Sequence, residues 1–416
     1  MDKADTFARI VEEAKDFAEK EIAPFAADFD RKETLPRDII AKLAAKKLLT
    51  PNLPVEYGGL GLDPVCYGLF TEEMGKACCS TRSLITVHAS VVGETLLRWG
   101  NSGQKETWLK AMAGGMKIGA FALSEPEVGS DARSVRTAYT READGYIISG
   151  TKKWISFGEI ADFYLVVAAE AHKGGQKGTD KQHSAAETQA AGGSQATSGN
   201  QKVTVFIVER EMEGIQTRRI ANMLGCRAAH ISEIEFRNVA VPAANILGQE
   251  GAGFPYVVGT ALDHGRYSVA WGGVAIAQAA LEAMVAFARN RRQFGKKIYE
   301  FQLVRGLIGD AVTKTHAARA LCLKAGEMRR NGHIEAIHET AMAKYFTSKV
   351  ALEVASDAVQ IHGGSGCSQE YPVERYFREA KILEIIEGTS QIQQEMLANF
   401  ALRKYHKKVP GTFLQG

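Results

Sequence analysis

A chain of 416 residues, 45% hydrophobic and 24% charged, is long enough for two or three well-packed domains and has an ordinary globular composition. Its net charge of +3 calls for no polyanion, so no nucleic-acid partner is read. Six cysteines without a C-x-x-C pair argue against a disulfide framework or a metal site and point to a reducing cytoplasm; the polar start reads as lacking a signal peptide, and no apolar run is expected to reach membrane-spanning length.

Up to about residue 117 the pattern is helical. Phe7, Ile10, Val11, Ala14 and Phe17 make one apolar face, and Ile39, Ile40, Leu43 and Leu48 mark a second helix after Pro36. The stretch Leu53–Leu62 is a turn-rich break. Helices resume from about Asp63 through Trp108, and Met112–Gly119 reads as a loop.

The period then changes. Tyr146–Ile148, Phe163–Ala168, Val203–Val208 and Ile231–Val241 are short Val-, Ile- and Phe-rich runs, which predict strands of a small β domain. His172–Gln201, full of Gly, Ser, Ala, Gln and Thr, reads as a disordered hairpin insertion. From Gly251 the chain is helical again. Ile276, Ala280, Leu281, Met284 and Val285 form one stripe, and Val304, Leu307, Ile308 and Val312 another. Ala341–Val359 and Gln391–Tyr405 add two more long helices, which suggests a four-helix bundle. The expected architecture is α+β and mainly α. An N-terminal α-helical domain covers 1–117, a middle β domain 118–242 and a C-terminal bundle 243–416. No G-x-G-x-x-G follows a strand and opens a helix, so a Rossmann fold is not supported.

Five stretches carry candidate chemistry. Ile382–Ile386, a mostly apolar run, delivers Glu387 just before Gly388, Thr389, Ser390 and Gln391. A carboxylate so placed is a candidate base, because desolvation raises its pKa. The same residues also read as a helix cap, Thr389 or Ser390 before a helix starting near Gln391, and both readings can hold together. In Phe121–Asp131, Ser124, Gly129 and Ser130 offer hydroxyls and amides for a phosphate or a polar ring edge, or else simply end a strand. In Thr151–Ser156, Trp154 beside Ser156 is a candidate flavin face or a β-domain core residue. Arg289–Gly295 offers guanidinium groups to a pyrophosphate, or is a solvated helix end. Leu262–Arg266 places Asp263 and Arg266 near a chain position occupied by Gly265.

The run from Gln360 to Gln394 contains H-G-G-S-G, E-Y-P-V-E-R and E-G-T-S-Q-I-Q, and it resembles a signature of the acyl-CoA dehydrogenases. F-A-L-S-E-P-E-V-G-S-D (Phe121–Asp131) resembles a second one. Cys367 and Val128 depart from the family pattern, and the resemblance runs from about Thr6 to about Arg403. It implies FAD as cofactor. The backbone of Phe121, Ala122, Leu123 and Ser124 would meet the isoalloxazine ring, and Ser130 would lie near the phosphates of cofactor and substrate. Trp154 and Ile155 would pack on the flavin and Ser156 would donate to N5, the hydride acceptor. Arg291, with Phe294 and Gln302, would reach the pyrophosphate of a flavin held mainly by a neighbouring subunit. Gln360, Gly363 and Gly364 would bind that cofactor across the interface, and Thr389 and Gln391 belong to the same set. A shared site implies a homodimer or homotetramer.

The resemblance also assigns chemistry. Some members carry the catalytic Glu where this chain has Gly265; here Glu387 stands at the other known base position. Glu387 would remove the α-proton of a thioester while a hydride leaves Cβ. Gly388, Arg266, Asp263 and Ser130 would hold the substrate. An electron-transferring flavoprotein is the family's usual electron acceptor, and oxygen serves in an oxidase branch. Four segments, Cys78–Ser83, Gly225–Ala229, Gly265–Gly272 and Ala380–Gly388, look like a branch that oxidises small units such as glyceryl on an acyl carrier protein for polyketide extender biosynthesis. The E-Y-P-V-E-R and E-G-T-S-Q-I-Q blocks pull towards an ordinary short-chain enzyme acting on coenzyme A esters. A flavin-binding homologue without catalysis is the competing class, and loss of the base would mark it.

Overall fold

The computed structural model describes residues 3–171 and 201–406. The expected insertion lies outside the described residues except for Gln201, whose side chain donates to the Val135 carbonyl at 3.2 Å. The N-terminal part is helical, as its spacing predicts. In Lys3–Phe17 the residues Phe7, Ile10, Ala14 and Phe17 are buried at helical spacing. Pro36 precedes the Arg37–Ala45 helix, which buries Ile39, Ile40 and Leu43. Asp63 caps Pro64–Ala77, accepting from the amides of Val65 at 2.9 Å and Cys66 at 3.0 Å. Cys79–Ile85 then runs through a π-helical stretch, Thr86–Gly93, into Glu94–Trp99. The segment read as a loop from Met112 is shorter: Met112 and Ala113 end the Lys110–Ala113 helix, and Gly119 already opens a strand.

Eight strands make one mixed sheet. They are β1 (Gly119–Ala122), β2 (Ala138–Glu142), β3 (Gly145–Ile155), β4 (Phe163–Glu170), β5 (Val203–Glu209), β6 (Ile215–Arg219), β7 (Ser232–Pro242) and β8 (Ile246–Leu247). The order is β6-β7-β3-β2-β4-β5-β8, with β1 paired parallel to β4. β4 is the central strand, and its side chains alternate between two cores. Phe163, Leu165 and Val167 join Val92, Leu96 and Met112 of the N-terminal helices, while Tyr164 and Val166 join Ile234 and Phe236 across the sheet. The sheet continues past residue 242, because β8 pairs with β5.

The C-terminal part has four long helices, Gly259–Asn290, Gln302–Arg330, Ala336–His362 and Ser390–Lys404, with Val373–Leu383 packed beside them. Contrary to expectation, one helix among the described residues, Phe254 to Asn290, is long and apolar enough to cross a membrane; its apolar window is 72% buried within the molecule. It is the shared centre of both helical layers. Gly68 lies so close to it that a Cβ there would stand 2.2 Å from the Trp271 indole.

Candidate active site

Glu387 sits in the turn between Val373–Leu383 and Ser390–Lys404, with φ at 54°, and Gly388 follows at 90°. A non-glycine residue in the left-handed region costs about 1–3 kcal/mol and needs outside support. Three side chains from three helices give that support. Arg266 Nε donates to the Glu387 carbonyl at 3.1 Å, and Lys344 Nζ to the Gly388 carbonyl at 2.7 Å. Gln393 Nε2 donates to both carbonyls at 3.2 Å. Thr389 caps the last helix by accepting from the Ile392 amide at 3.3 Å. The cap and the base candidate thus occur together. Among the described residues, the Glu387 amide finds no acceptor.

The Glu387 side chain keeps some open surface, yet protein surrounds it closely enough that burial pushes its pKa up to about 7. Arg266, Lys344 and Arg82 pull in the opposite direction. Burial in turn lowers Lys344 to about 8 and pushes the Arg266 guanidinium down. Gly265 makes room for the carboxylate, since a Cβ there would stand 2.5 Å from Glu387 Oε2.

Glu387 lines a cavity of about 540 Å³. The cavity gathers many of the residues singled out in the sequence: Phe121, Leu123, Ser124, Ser130, Trp154, Ile155, Ser156, Arg266, Gly388 and Thr389. Val87 and Val91 of the π-helical stretch, with Leu262 and Ile392, add apolar wall. Trp154 is 50% exposed with φ at 64°, so it is no core residue. A buried ion pair holds the Phe121–Asp131 loop. Lys152 Nζ lies 2.8 Å from Glu125 Oε1 and 2.9 Å from the Leu123 carbonyl, and Glu125 also accepts the amides of Arg136 and Thr137. Val128, the departure from the expected small residue, is buried and lines the cavity. An exposed indole, hydroxyls at Ser124, Ser156 and Thr389, and apolar walls fit the flat ring of a flavin with its polar edge.

Other expected site residues lie outside this cavity. Ala122 is fully buried in β1. Arg291, Phe294, Gln302, Gln360, Gly363, Gly364 and Gln391 are exposed, Phe294 at 92%. Asp263 is held by Arg329 Nη1 at 2.8 Å. Sequence reasoning missed Lys344 and Gln393. A lone lysine among Ala341, Ala343, Thr347 and Ser348, all buried, was the available signal.

Comparison with known proteins identifies the family. The N-terminal, middle and C-terminal domain models of acyl-CoA dehydrogenase match residues 5–116, 120–188 and 251–402. The chain is 34% identical over 401 residues to the mitochondrial short-chain specific acyl-CoA dehydrogenase of Mus musculus, covering 96% of this chain and 91% of that one. The structure of butyryl-CoA dehydrogenase from Megasphaera elsdenii superimposes with a TM-score of 0.86 at 33% identity, covering 97% of this chain and 100% of that one. FkbI, a protein for biosynthesis of the methoxymalonyl extender unit of the polyketide Fk520, gives a TM-score of 0.80 at 32% identity, covering 94% and 99%. Matches spanning nearly the whole chain establish that it belongs to the acyl-CoA dehydrogenase family and is an FAD-dependent oxidoreductase.

Proposed function

We propose that the protein oxidises a small acyl thioester, with Glu387 as the catalytic base. The observation that carries this reading is the Glu387 carboxylate, raised to about 7 by burial and set in the wall it shares with Trp154 and Ser156. Glu387 takes the α-proton, the Cα–H electron pair forms the new Cα=Cβ bond, and the hydride departs from Cβ. FAD, when bound against Trp154 and Ser156, supplies the hydride acceptor. The unpaired amide of Glu387 suits the thioester oxygen, where a preorganised donor stabilises developing charge by about 3 kcal/mol. Arg266 holds the turn that presents both groups.

The acyl carrier is coenzyme A in the reading that the short-chain and butyryl-CoA relatives support. A second reading, a hydroxylated unit on an acyl carrier protein, draws on the extender-unit relative. There the base takes a carbinol hydroxyl proton and the hydride leaves the same carbon. The electron acceptor is an electron-transferring flavoprotein, with oxygen as the alternative. The exposed residues Arg291, Phe294, Gln302, Gln360, Gly363 and Gly364 meet the cofactor of a second protomer, in a homodimer or homotetramer of a cytoplasmic enzyme built from units 1–117, 118–242 and 243–416. Anaerobic loss of flavin absorbance near ~450 nm tests the carrier. Bleaching by butyryl-CoA supports coenzyme A, and bleaching only by glyceryl-loaded carrier protein supports the second reading. A yellow protein that no thioester bleaches would contradict both.

A further inference from the structure

We propose that Lys344 is a positioning residue for the reaction: from the buried face of the Ala336–His362 helix it holds the Glu387–Gly388 turn and sets a positive charge beside the base. This rests on the reading of Glu387 as base. The Lys344 side chain is fully buried, and its ammonium donates to the Gly388 carbonyl at 2.7 Å and to the Glu384 carbonyl at 3.5 Å. These two carbonyls bracket the turn that carries the base. A buried ammonium without an anion is costly, and carbonyl oxygens alone do not neutralise it. Lys344 forms no ion pair within 4.0 Å among the described residues, and of the acidic groups near it Glu387 favours its charged form most.

Each element packed against Lys344 has a defined part. The turn contributes Glu387 and Glu384, both of which favour its charged form. The Gly259–Asn290 helix contributes Arg266, which opposes it. The Ser390–Lys404 helix contributes the neutral Gln393, which shares the Gly388 carbonyl with it. The base therefore lies between two cations with different duties. Arg266 binds the carbonyl before Gly388 and stays charged across the working range. Lys344 binds the Gly388 carbonyl, and burial lowers its pKa while Glu387 raises it. Removing Lys344 takes away both a tether and a charge.

Two substitutions remove the charge in the intact flavoprotein, one with and one without a remaining donor. Lys344→Met removes donor and charge; Lys344→Gln keeps a donor but no charge. The measurement is the pH dependence of kcat/KM with whichever thioester bleaches the wild-type flavin, together with flavin content and the thermal unfolding midpoint. For both variants the rising limb is expected to move up from about 7 by about one pH unit, with kcat reduced more at low pH than at high pH. KM is expected to change less than kcat. A purely structural role would lower activity equally at every pH, and a limb that coincides with wild type in a variant that retains flavin would overturn the proposal. If Lys344→Met loses flavin, Lys344→Gln decides alone. A wild-type protein that no thioester bleaches would instead mark failure of the underlying reading.

Discussion

A methyl group at position 265 would stand 2.5 Å from Oε2 of Glu387 and 2.6 Å from its Cδ. The resemblance identifies 265 as the alternative base position, and the structure shows that both positions open on one space. Gly265→Ala is expected to displace the carboxylate, cutting kcat by about tenfold or more while flavin content stays near wild type; steady-state kinetics beside absorbance spectra check this. The pH dependence follows from the same carboxyl. Glu387 must be ionised to accept a proton, and burial raises it to about 7, so kcat/KM should rise with pH through about 7. A flat profile from pH 5 to 8 would require an ordinary exposed carboxylate (about 4.3). Glu387, which lines the cavity, stands out in the sequence as an acid between an apolar run and a glycine. Its clamps do not. Lys344 and Gln393 come from helices whose approach to the turn is a tertiary fact that spacing along one helix does not contain.

At the scale of elements, the loop Phe121–Asp131 depends on β3. Lys152 reaches from that strand to Glu125 and the Leu123 carbonyl, with both ionised side chains almost fully buried. Lys152→Met leaves the Glu125 carboxylate without its counter-charge in a buried site. That should cost about 3–5 kcal/mol, read as a lowered unfolding midpoint with early loss of flavin. A second prediction concerns β4 and β5. They pair antiparallel with Ala169 opposite Val203, so their ends lie side by side. Replacing residues 172–200 with a short Asn-Gly turn should leave the unfolding midpoint and flavin content close to wild type. Collapse of either would show that the replaced segment is needed. The longer apolar strands, β3, β4, β5 and β7, were legible from their Val, Ile and Phe content. β1 is only Gly-Ala-Phe-Ala, and β6 is Ile-Gln-Thr-Arg-Arg on an edge, so neither carries the alternating apolar pattern that marks a strand.

At the scale of the whole molecule, the cavity joins all three regions. Val87 and Val91 come from the N-terminal helices, Trp154 and Ser156 from the sheet, and Glu387 from the C-terminal helices. The order α, β, α was legible because the hydrophobic period changes twice along the chain. Which residues share the cavity was legible only through the family resemblance, since the contributing segments are separated by hundreds of residues. Arg291 and Phe294 stand away from it on the surface, as the proposal of a second protomer requires. Arg291→Ala should therefore weaken flavin retention on dilution while leaving the Glu387 pocket and its pH limb in place, as gel filtration with flavin absorbance would record. Glu387 is proposed as the base for oxidation of an acyl thioester. The most direct test of this proposal is anaerobic stopped-flow bleaching of wild type and Glu387→Gln, both reconstituted with FAD, at a pH above 7. Wild type should bleach with a short acyl thioester, and Glu387→Gln should stay yellow or bleach about a hundred- to ten-thousand-fold more slowly. Equal rates for the two proteins would exclude Glu387 as the base.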